Sequence, residues 1–283
     1  MARACYSSVL PEVALLQLSA VVITRNEERD IGRTLDALAF ADEVLVVDSL
    51  SADRTVEVCA ARGARVVSHP FRGFGKQKRF AVGLASHDWV LCIDADEVVT
   101  PELGRAIREL LSGDVPPPFA AYRLAFRTVF MGRTLLHTTR ETHIRLFDRR
   151  RAGWDDAPVH ETVRVNGEIG TLPGYVLHES ARSVWEAIEK LNAYTTLAAE
   201  GRRGRPVRSV PALLVSAAYH FFRHYVIRRH FLSGVAGLAW SLLFSVGSVM
   251  KHVKAHELIA AAGSAAEREV PDAAPAPAAR VSG

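Results

Sequence analysis

Residues 90–99, VLCIDADEVV, run through an apolar stretch and then set Asp94, Asp96 and Glu97 beside one another. From an extended backbone Asp94 and Asp96 point the same way while Ala95 points away, so two like charges face one space. They repel unless a cation or a hydrogen-bond donor lies between them. A hard divalent ion such as Mg²⁺ or Mn²⁺ takes few carboxylates and completes its shell with phosphate oxygens and water. The chemistry this spacing suits is the holding of a phosphate through a metal. Two more polar clusters occupy the same kind of position, just past an apolar run: TRNEE at 24–28 and DSLSADRT at 48–55. For Asp48 and Asp53, turn formation and helix capping are the alternative use.

The elements that must carry these clusters can be read from periodicity. Strands are expected over Leu18–Thr24, Glu43–Asp48, Ala64–His69 and Trp89–Ile93, with helical spacing between them at Ile31, Leu35 and Leu38. Thr100 and Pro101 supply an N-cap and a first-turn proline ahead of Leu103, Ile107, Leu110 and Leu111. Strands alternating with helices predict an α/β fold with an open, mostly parallel sheet flanked by helices. In such sheets ligands bind at the carboxyl ends of the strands, so the three clusters point to one edge. Gly113–Pro118 breaks the pattern, and residues 120–178 read as longer, irregular strands in a mixed extension. From residue 181 the chain turns helical to about residue 260. An Ala/Pro-rich tail, expected to be disordered, fills 261–283. Residues 1–17 form a short leading segment without the pattern of a signal peptide.

Several function classes fall away on composition. The three cysteines, Cys5, Cys59 and Cys92, have no metal-ligand spacing, and the last two sit in apolar periodic runs, as reduced buried thiols do. A net charge of +4 over 283 residues does not argue for nucleic acid as a partner. FRGFGKQ has Lys78 where a dinucleotide fingerprint needs its third glycine, which removes the support for nicotinamide binding.

The order AVVITRNEERDIGRTLDAL, EVLVVDSLSADRT and GFGKQKRFAVGLASHDWVLCIDADEVVTPEL resembles the GT-A core of glycosyltransferase family 2. FGKQK, IDADE, RLFDRR and VHETV are similar to the bacterial subgroup that adds sugars to the lipopolysaccharide core, and the likeness runs from about Leu18 to Leu258. The resemblance implies inverting transfer of a sugar, a hexose such as glucose, from a nucleotide-diphosphate donor that is most commonly UDP-linked. It implies that Thr24, Asn26, Glu27, Asp48 and Asp53 hold base and ribose, and that Asp94 and Asp96 face ribose and metal–diphosphate. Family members usually carry Asn where this chain has Arg79. Lys76 or Lys78 can face the diphosphate, with a solvated helix face as the alternative.

Inversion needs a base on the side of the acceptor, opposite the leaving diphosphate. Glu161, matching the VHE motif, is the candidate, with Asp155 and Asp156 as nearby competitors in a turn-like WDDAP. Related metal-dependent enzymes recruit a late histidine, so Asp96 and His178 are the expected metal ligands, and His160 is a supporting residue. Arg145 can reach phosphate, or alternation can leave it in solvent.

Phe231–Met250 holds twenty residues without a formal charge, preceded by Arg228, Arg229 and His230 and followed by Lys251, His252 and Lys254. Such a stretch is long enough to span a bilayer, which takes about 20 apolar residues. Serines and glycines dilute it, which favours a helix in or dipping into the interface, with basic residues at anionic headgroups. GRRGRPVR at 201–208 adds to that charge. The alternative is a buried helical hairpin. The expected partners are a nucleotide-diphosphate sugar, a lipid-linked glycan acceptor and the membrane surface, at the cytoplasmic face of the inner membrane. A polyprenyl-phosphate glycosyltransferase, a sugar nucleotidyltransferase or a noncatalytic membrane-tethered nucleotide-sugar binder are the competing readings. The nucleotidyltransferase lacks its basic, Gly-rich loop here, because TRNEE is acidic.

Overall fold

A computed structural model describes residues 15–135, 141–155, 161–202 and 208–268, the last with side chains to 261. The chain divides into two units, Met1–Ser180 and Ala181–Gly283. Cys5, Asp156, His160, five residues of the expected GRRGRPVR charge cluster (203–207) and the end of the tail lie outside the described residues.

The first unit opens with β1 (Leu18–Thr24), every residue of which is buried. Leu18, Ala20 and Val22 pack on one face of the sheet and Val21 and Ile23 on the other. A strand covered on both faces has no polar face to show, which is why the sequence here is a continuous apolar run. Helix α1 (Ile31–Ala37) leads to β2 (Glu43–Asp48), α2 (Thr55–Ala60) to β3 (Arg65–Ser68), and α3 (Phe74–Leu84) to β4 (Trp89–Asp94). These strands pair in parallel in the order β3-β2-β1-β4. Cys59 and Cys92 are free, buried thiols, and burial pushes both up to about 11.

Next come β5 (Glu97–Val99) and α4 (Pro101–Ser112), whose Leu103, Ile107 and Leu111 join α1 in covering one face. Thr100 sits at the N-cap of α4 but makes no side-chain cap; its hydroxyl donates to the Tyr175 carbonyl at 2.7 Å. The remaining strands are β6 (Ala121–Phe130), β7 (Arg133–Thr134), β8 (Glu141–Asp148), β9 (Ala152–Trp154), β10 (Val163–Val165) and β11 (Ile169–Ala181). The expected mixed extension is part of the same sheet, since β8 pairs antiparallel with β4 and the order continues β4-β8-β6-β11-β5. The sheet is therefore parallel from β3 to β4, and β4–β8, β8–β6, β6–β7 and β11–β5 are antiparallel. A separate ribbon pairs β9 with β10. At Gly174, with φ +83°, β11 passes so close to the Leu103 backbone that a Cβ would collide with it.

The second unit is helical. Ser183 caps α5 (Val184–Glu200) by accepting from the Glu186 N–H, while Glu186 accepts from the Arg182 N–H. Helix α6 (Val210–Phe222) runs into one π-helical turn at Arg223–Ile227 and then a left-handed Arg229. A short 3₁₀ turn, His230–Ser233, precedes α7 (Gly234–Arg268). The long helix continues past the boundary expected near residue 260, because the alanines there are good helix formers. Among the described residues it is the one helix long and apolar enough to cross a membrane. None of the residues of α6 is buried, and Leu214, Val215 and Val235 are about two-thirds or more exposed.

Candidate active site

Two loops at the carboxyl ends of β1 and β2 are laced together. The Asn26 N–H donates to Ser51 Oγ and Asn26 Oδ1 accepts from the Ala52 N–H, both at 2.8 Å. The Glu27 N–H donates to Thr55 Oγ1, and the Glu28 N–H to Asp53 Oδ2. Asp48 accepts from the Ser51 N–H and hydroxyl, and Asp53 from the Thr55 N–H and hydroxyl. Thus Asn26, Glu27, Asp48 and Asp53 do come together, with Asp48 and Asp53 making the turn contacts that were their alternative reading. Asn26 and Leu50 hold left-handed backbones, φ 55° and 60°, in these same loops. Leu50 is a bulky residue in that region and marks local strain. Thr24 is buried at the end of β1, beneath them.

The end of β4 carries a compact cluster of charges. Lys78 Nζ lies 3.2 Å from Asp94 Oδ1 and 3.2 Å from Glu161 Oε1, and 4.8 Å from the centre of the Trp154 ring. Arg145 Nη2 lies 3.0 Å from Asp94 Oδ2 and 2.7 Å from Glu97 Oε1. Glu97 Oε2 in turn accepts from the Asp94 N–H. Burial alone raises the Asp94 carboxyl, but Arg145 and Lys78 outweigh it and hold that carboxyl well below the usual range. Glu97 is the opposite case: burial, helped by Asp94 and only partly offset by Arg145, pushes it up to about 7.

Helix α3 decides which lysine takes part. Its inner face buries Gln77 and Lys78, while Lys76 is exposed on the outer face in a shallow groove with Arg79 and Phe80. Lys76 is thus not brought to the cluster, because two residues apart on a helix lie on nearly opposite faces. Gln77 was not foreseen: its amide donates to Ser49 Oγ and to the His69 carbonyl, pinning α3 to the loop ends of β2 and β3. Arg145 is 7 % exposed rather than solvated, because β8 is buried on both faces from that residue on. Asp155 is engaged beside Glu161. Its carboxylate accepts from the Thr162 N–H and hydroxyl.

β11 lies antiparallel to β5 with His178 opposite Glu97, and this register sets His178 Nε2 3.3 Å from Asp96 Oδ2. Burial lowers the imidazole, yet Asp96, with Glu97 and Asp94 behind it, raises it overall. Among the described residues no three or more His, Cys, Asp or Glu side chains gather to enclose an ion. Two protein donors do not make a closed structural site. They do fit an octahedral ion whose remaining positions go to phosphate oxygens and water.

Residues 19–154 match the family model described as Glycosyl transferase family 2. A Rickettsia typhi protein called an uncharacterized glycosyltransferase is 29% identical over 259 residues, covering 86% of this chain and 87% of its own. The lipopolysaccharide core biosynthesis glycosyltransferase LpsC of Rhizobium meliloti is also 29% identical, over 86% of this chain and 93% of its own. Among solved structures, mannosyl-3-phosphoglycerate synthase from Rubrobacter xylanophilus matches with a TM-score of 0.35 at 30% identity, over 40% of this chain and 41% of that one. Glucosyl-3-phosphoglycerate synthase from Mycobacterium tuberculosis, solved with Mn²⁺, UDP-glucose and phosphoglyceric acid, matches with a TM-score of 0.31 at 28% identity, over 41% of this chain and 44% of its own.

Proposed function

We propose that this chain, a glycosyltransferase whose residues 19–154 form a family 2 domain, moves a hexose from a nucleotide diphosphate to a glycan acceptor with inversion at the anomeric carbon. One observation carries the reading: the Lys78 ammonium, 3.2 Å from Asp94 and from Glu161, gathers the donor-side strand end and an acceptor-side carboxylate around a single cation.

In this reading the laced loops bearing Asn26, Glu27, Asp48 and Asp53 hold the nucleoside above Thr24, and Asp94 and Lys78 face the diphosphate. The acceptor hydroxyl attacks the anomeric carbon on the face opposite the diphosphate, and its proton passes to Glu161. The bond from that carbon to the diphosphate oxygen breaks, and Lys78 meets the charge left on the departing group. Asp96 and His178 would hold a divalent cation, which when bound neutralises further charge on the diphosphate. Arg145 and Lys78 keep Asp94 ionised, and Glu97, accepting from the Asp94 N–H, holds the strand end that carries it.

The acceptor side follows from the second unit. Its exposed Leu214, Val215, Tyr219, Phe222 and Ile227, with Arg223, Arg228 and Arg229 nearby in sequence, suit a membrane interface. A lipid-linked or lipopolysaccharide-core glycan at the cytoplasmic face of the inner membrane is the acceptor class this supports, in keeping with the name of the R. meliloti relative. The test is nucleotide release by purified protein from a panel of nucleotide sugars, with membrane extract as acceptor and with Mn²⁺, Mg²⁺ or a chelator. Metal-dependent release from UDP-glucose is expected. No release from any nucleotide sugar sinks the reading.

A further inference from the structure

The turn after β8 carries three arginines in succession, Arg149, Arg150 and Arg151, and they line a groove of about 700 Å³ with Arg79 of α3 and Arg164 of β10. No carboxylate lines it. The acids that accompany these arginines stand behind them. Arg150 pairs with Asp148 at 2.7 Å and Asp88 at 3.0 Å, and Arg164 Nε lies 3.4 Å from Asp155. Arg149 donates to the Val82 and Ala85 carbonyls and lies 3.7 Å from Asp88. Five guanidiniums thus outnumber three carboxylates. The side chains of Arg150 and Arg164 remain 62% and 81% exposed, so their forks still face water.

A concave surface lined by one sign of charge focuses its field and concentrates the opposite ion. Guanidinium forks match phosphate and carboxylate oxygens in paired hydrogen bonds. The volume is that of a site for one ligand of moderate size. Its position matters as much, because Trp154 also lines the groove, and the ring of Trp154 carries Lys78 of the charge cluster.

We propose that this arginine groove is an acceptor subsite that binds a saccharide bearing phosphate or carboxylate groups, beside the point where its hydroxyl meets Glu161. The inference rests on the reading of Glu161 as the acceptor-side base. It also narrows that reading, from glycan in general to anionic glycan. An anionic lipid headgroup would offer the same chemistry without the sugar.

Inositol hexakisphosphate serves as a compact polyphosphate probe, with calorimetric binding measured on the wild type and on Arg79→Glu/Arg164→Glu. The wild type is expected to bind it in a salt-sensitive manner, and the double variant to bind at least about tenfold more weakly. Binding of UDP with Mn²⁺ and slow hydrolysis of UDP-glucose should stay unchanged in the variant. With membrane extract as acceptor, the variant should raise KM with kcat little altered, and phosphatase treatment of the extract should erase the difference. Equal probe binding by both proteins overturns the proposal. So does displacement of the probe by UDP, which would place it in the donor crevice. Binding to anionic vesicles that depends on the same two arginines, with no effect of phosphatase on transfer, assigns the groove to headgroups instead. Should the charge reversal unfold the chain, Arg79→Gln/Arg164→Gln carries the same comparison. A wild type that hydrolyses no nucleotide sugar yet binds the probe would fault the transferase reading alone.

Discussion

The two units distribute polarity in opposite senses. In the first, Lys78, Glu97 and Arg145 lie inside, each paired, and the strands around them are buried on both faces. In the second, the large apolar side chains of α6 face outward while His224, His230 and Ser241 are buried. Both ring nitrogens of His230 lack a hydrogen-bond partner among the described residues. An unpaired charge in a core costs several kcal/mol, so the first unit keeps its charges as ion pairs, although Arg145 Nε and Nη1 are also buried without a hydrogen-bond partner among the described residues. An apolar face as continuous as that of α6 is rarely left to water in a soluble monomer. The contrast teaches that the first unit spends its stability on a charged cluster held inside, whereas the second leaves the apolar side chains of α6 outside.

That contrast can be broken first where it is strongest. Arg145→Met leaves Asp94 and Glu97 without their guanidinium and should cost about 3–5 kcal/mol in denaturant unfolding. A single variant as stable as the wild type would show that the buried set is not mutually dependent.

A smaller effect is expected at Glu43, on the edge of the same unit. Burial works against its charge, but Ser19, the Ser86 N–H and hydroxyl, and Arg65 bring the carboxyl down from 4.5 to about 2. The folded value is the lower one, so its stabilisation is complete above pH about 4.5 and is lost as pH falls towards 2. Glu43→Gln should remove about 2 kcal/mol at neutral pH and flatten that part of the acid titration. Unchanged acid sensitivity in urea melts would contradict it.

The smallest change in stability belongs to the second unit. Leu214→Asp with Val215→Asp, at two exposed positions, should alter unfolding by no more than about 0.5 kcal/mol. Sedimentation with anionic vesicles should nevertheless fall sharply. A large loss of stability in water would point to a covered face instead.

The parallel half of the fold was legible because strands buried on both faces leave unbroken apolar runs, and β1, β2 and β4 begin and end within a residue of expectation. The strand-end clusters were legible for the same reason. Long-range pairing was not. Lys78 and Glu161 are 83 residues apart, and no local pattern encodes their contact. The side Arg145 faces could not be read from alternation on a strand covered on both faces. The partnership of Asp96 and His178 depends on the register of β11 against β5, which no local pattern encodes. Lys76 could have been set aside from helical period alone.

The account stands most directly on Glu161. Transfer from UDP-glucose to membrane extract, measured for Glu161→Gln beside the wild type together with UDP–Mn²⁺ affinity, isolates it. The expected result is a loss of turnover of about 10²–10⁴-fold with nucleotide affinity retained. Undiminished turnover in the variant would contradict the assignment of Glu161 as the base.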